Sequence, residues 1–229
     1  MKKIAILQSN YIPWKGYFDM INKVDEFILY DDVQYTTRDW RNRNKVKSPQ
    51  GARWLTIPVT HKSRSQLINE TTVSDSQWNK KHWKTISQYY SKAPYFKDYA
   101  DTFESLYLNI DSNHLSAINY KFITSICKVL DIKTKIRWSD EFQTTKGQTE
   151  RLVSICKQCN AKTYVSGPAA KNYLDENIFH SEDIGVEWMD YLDYPEYHQL
   201  HLPFDHFVSI IDLIFNEGPN TLKFMKSFS

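Results

Sequence analysis

KIAILQSNYIPWKGYFDMINKVDEFILY, Lys3–Tyr30, decides the fold. Lys3–Gln8 reads as an apolar strand, and Ser9-Asn10-Tyr11-Ile12-Pro13 reads as a turn. The spacing then predicts a helix from Trp14 to Val24, with Phe18, Ile21 and Val24 on one face. Glu26–Tyr30 is a second short apolar strand. Strand, loop, helix and strand in this order make a βαβ unit, which favours parallel strands joined by a right-handed crossover.

Working outward, Asp31–Ala52 is polar and basic and reads as a loop. Arg53–Val59 returns to strand character. Helices are predicted over Gln77–Tyr90, Tyr95–Leu108 and Ser112–Leu130; the last carries Leu115, Ile118, Phe122, Ile126 and Val129 at helical spacing. A strand at Thr134–Trp138, a helix at Gln148–Cys159 and a strand at Lys162–Val165 follow. Next come Ser166-Gly167-Pro168, a helix from Ala169, a strand at Gly185–Met189, a helix at Phe204–Phe215 and a short one at Leu222–Phe228. The expected architecture is α/β: a Rossmann-like parallel-sheet core from residues 1–74 and 132–229, with an α-helical insertion or subdomain over 75–131.

Composition bounds the function. The 229 residues suffice for a buried core, and 41% hydrophobic with 24% charged residues is ordinary for a globular chain. Twenty-nine basic and 27 acidic residues nearly cancel, so charge alone does not point to nucleic acid. No apolar run approaches the roughly 20 residues of a membrane-spanning helix. The apolar run after Lys2 and Lys3 is too short for an export signal, so a cytoplasmic location is expected. Three cysteines fit a reducing compartment. Cys156-Lys-Gln-Cys159 has CxxC spacing but no second pair, and Cys156 continues an apolar helix face, so packing is the simpler reading. GxGxxG, GxxxxGK[ST] and serine-nucleophile signatures are absent. No cofactor is read. Aromatic residues reach 15%. Tyr89, Phe96, Tyr99, Phe103, Phe122 and Phe207 fit core positions; Tyr11, Trp14, Tyr17, Tyr35, Trp40, Tyr164 and Tyr197 lie in or beside the candidate site loops.

Ligands of open parallel sheets bind beyond the carboxyl ends of the strands. Gln8, Asn10 and Tyr11 follow the first strand and offer amides and a ring. Asp31 and Asp32 end the second strand; adjacent residues point opposite ways, so one of them faces the ligand as base, ribose acceptor or outer metal ligand. Arg38, Trp40, Arg41 and Arg43 combine phosphate-binding guanidiniums with a stacking ring, suited to a nucleotide diphosphate or an RNA end. Ser166, Gly167 and Lys171 surround a helix start that would bind an anion. Among His198, His201 and His206, flanking prolines argue against a helical metal pair; His201 is the candidate acid–base or hydrogen-bonding group. Asp212, inside the apolar FVSIIDLIFN run, must be hydrogen-bonded or face a cleft.

Together these stretches resemble the WbqC-like protein family. The resemblance rests on IAILQSNYIPWKGYFDMI (Ile4–Ile21), FILYDDVQYTTRDWRNRNKVK (Phe27–Lys47), WLTIPV (Trp54–Val59), YVSGPAAKNYLD (Tyr164–Asp175) and the tail from YHQLHLPF into SIIDLIFNEGP (Tyr197–Pro219). Ser9 replaces the family's usual Pro, and Ala169-Ala170-Lys171 stands where SGK is common. The resemblance implies a transferase that acylates or aminoacylates the amine of a nucleotide-linked amino sugar, in surface polysaccharide (O-antigen) biosynthesis. It implies a sugar-nucleotide substrate and an acyl donor or aminoacyl-tRNA, with Asp32 or His201 as base. The opening unit is also distantly similar to HIGH-motif nucleotidylyltransferases, with PWKGYF (Pro13–Phe18) in place of HxGH. Neither histidine is present, so that chemistry is not expected. The alternative is a degenerate nucleotide- or RNA-binding module without catalysis. The oligomeric state is not legible.

Overall fold

The computed structural model describes residues 1–228. Five parallel strands form the central sheet: β1 (Lys3–Leu7), β2 (Glu26–Leu29), β7 (Lys135–Trp138), β8 (Thr163–Ser166) and β9 (Gly185–Trp188). Their spatial order is β7-β2-β1-β8-β9. The chain therefore builds outward from β1 to one edge, returns beside β1, and builds to the other edge. That is the doubly wound Rossmann-like order, and its switch point lies between β1 and β8.

Alternation along the strands sorts the core. Ala5, Phe27, Leu29 and Val165 face one layer, with Phe18 and Ile21 of α1 (Lys15–Asn22). Ile4, Ile6, Ile28 and Tyr164 face the other, with Leu152, Ile155 and Cys156 of α5 (Gln148–Gln158) and Phe179 of α6 (Glu176–His180). The interior strands are buried on both faces, as a parallel sheet requires.

Between the two halves of the sheet run the hairpin β3 (Arg43–Ser48) and β4 (Gly51–Thr56), the two-residue pair β5 (Val59–Thr60) and β6 (Thr72–Val73), and helices α2 (Trp78–Tyr90), α3 (Phe96–Leu108) and α4 (Leu115–Val129). These helices do not form a core of their own. Ile86, Phe103, Ile118 and Phe122 belong to the same cluster as α1 and the last helix, α7 (Ile210–Glu217).

Several expected boundaries change. The basic segment read as a loop contains β3, paired in register with β4 from Arg43↔Thr56 to Ser48↔Gly51. The helix expected from Ala169 is a 3₁₀ turn, Pro168–Asn172. The helix expected over 204–215 starts only at Ile210, where Ser209 caps it by accepting from Ile211 N. The short last helix is two 3₁₀ turns, Gly218–Phe224 and Lys226–Phe228. No helix among the described residues is long and apolar enough to cross a membrane.

Candidate active site at the switch point

The first βα loop is fixed from beneath. Ser9 N and Oγ donate to Asp31 at 2.8 and 2.6 Å, and Asn119 of α4 donates to Ser9 Oγ at 3.0 Å. Burial pushes the Asp31 carboxyl up, opposed by hydrogen bonds from Ser116 and Ser9 and by Arg41. Asp31 is thus the strand-end carboxylate that points inward and holds the loop.

From above, Arg41 Nη1 donates to the carbonyls of Gln8 and Ser9 at 3.3 and 3.4 Å, and to Asn10 Oδ1. Tyr17 Oη also donates to Gln8 O. With its backbone held on both sides, the loop leaves Gln8 and Asn10 half-buried at the carboxyl end of β1.

Asp32 points the other way, into the space above the sheet. It accepts from Ser139 Oγ beyond β7 and forms an ion pair with Arg151 from α5. The Arg151 guanidinium lies 4.8 Å from the centre of the Tyr30 ring, and its Nε is buried with no hydrogen-bond partner. Sequence reading missed Arg151, because nothing local marks a lone arginine on an amphipathic helix. Across the switch point stand Ser166, buried, and Gly167, half-buried and facing Tyr191 and Met20. The turn that follows is too short for a helix-terminal anion site, and Lys171 is exposed, 5.4 Å from the Trp188 ring. Strand ends thus bring Gln8, Asn10, Asp32, Arg41, Ser166 and Gly167 to one edge of the sheet.

Other candidates are not brought there. Tyr11 is 0% exposed, with its hydroxyl bonded to His82 Nδ1 and Tyr107 Oη, so it cannot stack on a ligand. Tyr17, Tyr35, Tyr164 and Tyr197 are buried as well, whereas Phe207, expected in the core, is 57% exposed. Asp212 accepts from Tyr90 Oη at 2.8 Å and Tyr197 Oη at 2.7 Å, and burial pushes its carboxyl up. Its polar partners are core groups: the cleft alternative for Asp212 gives way to the hydrogen-bonded one. His201 Nε2 meets Tyr89 O at 2.9 Å and ties the 190–208 segment to α2. Neither contacts the switch point. Arg38, Trp40 and Arg43 lie on the hairpin side, where only Arg41 turns inward.

Trp14 bridges the two regions. Its indole folds over Gly16, where an added Cβ would overlap the ring, and packs on Tyr191, Tyr194 and Phe207. With Asn10, Pro13, Trp40, Asn44 and Phe207 it lines a cavity of about 190 Å³. Beneath it, Lys15 is 2% exposed; burial lowers its ammonium to about 8, and Nζ finds Pro195 O at 3.1 Å and the Tyr194 and Tyr197 rings. This buried lysine was also missed.

The cysteines are buried thiols, and burial raises Cys156 and Cys159, the latter to about 11. Among the described residues no group of three or more His, Cys, Asp or Glu side chains is arranged to hold a metal ion.

With this geometry in hand, comparison with known proteins is informative about kinship. A profile described as the WbqC-like protein family matches residues 8–224. A Mycobacterium tuberculosis protein, named only as uncharacterized, is 46% identical over 230 residues, covering 99% of this chain and 100% of its own. No solved structure matches.

Proposed function

The chain belongs to the WbqC-like protein family, and from that premise we propose that it is a transferase for the amine of a nucleotide-linked amino sugar in surface polysaccharide (O-antigen) biosynthesis. The observation that carries the reading is the Asp32–Arg151 pair beside the β1–β8 switch point, in the position where doubly wound folds take nucleotides. Arg151 supplies the charge for a diphosphate. Gln8 and Asn10 supply amides for sugar hydroxyls, and Ser166 supplies a hydroxyl.

Acyl or aminoacyl transfer requires a neutral amine: the nitrogen attacks the acyl carbonyl, the bond to the donor's leaving group breaks, and the ammonium proton goes to a base. Of the three candidate bases, Asp32 is the one at the strand ends. A diphosphate that draws Arg151 off frees its carboxylate to accept that proton, so substrate binding and base activation are one event. A thioester or an aminoacyl ester is the class of donor.

Incubation with dTDP- and UDP-linked amino sugars plus acyl-thioester or aminoacyl-ester donors, followed by mass spectrometry, tests the reading. The expected result is an acyl mass gain on the sugar nucleotide that Asp32→Asn abolishes. Arg151→Gln should raise KM for the sugar nucleotide more than it lowers kcat. No mass gain across the panel sinks the transferase.

A second reading is a nucleotide-binding module without chemistry. It is favoured by the engagement of Asp32 with both Ser139 and Arg151, and by Trp14 and Tyr17 where the HIGH signature has histidines. A rise in melting temperature with sugar nucleotide but no product would select it.

A further inference from the structure

The basic cluster of the sequence divides in the fold. Arg41 turns inward to the first βα loop, while Arg38, Trp40 and Arg43 join the exposed face of the β3–β4 hairpin. There Trp40 and Trp54 are 38% and 44% exposed, with ring centres 5.3 Å apart. The Arg43 guanidinium lies over the Trp54 ring at 4.2 Å and donates to the Arg38 carbonyl. Lys45, opposite Trp54 in register, shares this face. Large rings at this exposure shed apolar surface into water, a cost that an occupant would remove.

Beside the rings opens a second cavity of about 260 Å³, lined by Tyr35, Thr37, Arg38, Arg43, Thr56 and His61 among others, and by no carboxylate. Neither Arg38 nor Arg43 forms an ion pair among the described residues. The nearby acids are engaged: Asp39 by Thr36, Trp40 N and Arg41, and Asp205 by Lys45. Arg43 Nε is buried without a partner. The face therefore pairs open aromatic planes with unneutralised guanidiniums and hydroxyl donors.

We infer that the Trp40–Trp54 face and the Arg38–Arg43–His61 cavity bind single-stranded nucleic acid, a base stacking on the indoles and its phosphate entering the cavity. Stacking on exposed rings with backbone charge held alongside is how sequence-tolerant single-strand binding works. A duplex hides its base faces and would present phosphates alone. The inference stands apart from the sugar-nucleotide reading: it uses neither Asp32 nor Arg151, and either can fail while the other holds.

Fluorescence anisotropy with a fluorescein-labelled 12-nucleotide RNA of mixed sequence, titrated with the full chain between 25 and 200 mM salt (about a tenfold span), tests it. Wild type should bind with an affinity that falls linearly in log–log salt plots. Trp54→Ala should weaken binding about tenfold. Arg38→Ala with Arg43→Ala should reduce the salt slope by roughly two. Lys133→Ala, an exposed charge elsewhere, should change neither, and circular dichroism checks that each variant folds. No binding at 25 mM salt (roughly the lowest practical), equal binding to the matching duplex, or Trp54→Ala binding as wild type while heparin competes as well as RNA would each overturn it. An acidic peptide that binds this face in place of RNA would do the same.

Discussion

Lys15 shows what one residue can cost. It sits in the first turn of α1, 2% exposed, with a carbonyl and two tyrosine rings but no carboxylate bonded to its Nζ. Burial lowers it from 10.5 to about 8. In the unfolded chain the same lysine keeps its ordinary value. Between about pH 8 and 10.5 the unfolded state therefore binds more protons, and this residue's contribution to stability improves as pH rises through that window. Below it the penalty is full, with a ceiling of about 3 kcal/mol from the size of the shift, reduced by the ring and carbonyl contacts. Lys15→Met should be more stable than wild type at pH 7 by about 1–2 kcal/mol. Urea unfolding of both proteins should show that advantage shrinking by pH 10 (roughly the top of the window). An advantage that does not change with pH would mean the lysine is not the titrating group. At this scale the sequence was half legible. Strand alternation foretold that Asp31 and Asp32 part ways, and they do. It could not say that Tyr11 goes into the core, because a turn residue has no period from which to read its direction.

At the scale of elements, errors came where apolar pattern and chain direction disagree. β3 went unread because its inward positions Asn44 and Ser48 are polar, buried by hydrogen bonds to Tyr11 O, Ile12 O and Gly51 O, so alternation of apolar residues is absent. Its turn was nonetheless written in the chain: Gly51 has φ +98°, open to glycine and strained for other residues. α7 was read six residues early because Phe204, Phe207 and Val208 imitate helical spacing, whereas the helix begins where Ser209 supplies its cap and donates its own N–H to Lys45 O. Ser209→Ala should cost about 1 kcal/mol of folding stability, measurable as a lowered urea midpoint with an unchanged slope. A change below about 0.3 kcal/mol would show that packing alone sets this boundary.

For the whole molecule, the α/β class was legible because buried parallel strands leave continuous apolar runs between helices. The site was legible only in part. Strand ends announce themselves in sequence, but Arg151 reaches Asp32 from a helix 119 positions away, a meeting that only the sheet order creates. That order has a further consequence, in time. β1 lies at the centre of the sheet, and its two edges are completed very unequally. β2 arrives within some twenty residues of chain, whereas β8 follows about 160 residues after β1. At ribosomal rates of roughly 5–20 residues per second, one edge of β1 waits on the order of ten to thirty seconds for its partner. During synthesis this chain carries an open, apolar strand edge, the template for aggregation that finished sheets conceal. A fragment covering residues 1–160 should accordingly be insoluble or chaperone-bound on expression, while the full chain is recovered from the supernatant. Sedimentation of the two after lysis checks it, and a freely soluble, monomeric fragment would show that the helices α2–α4 cover the edge meanwhile.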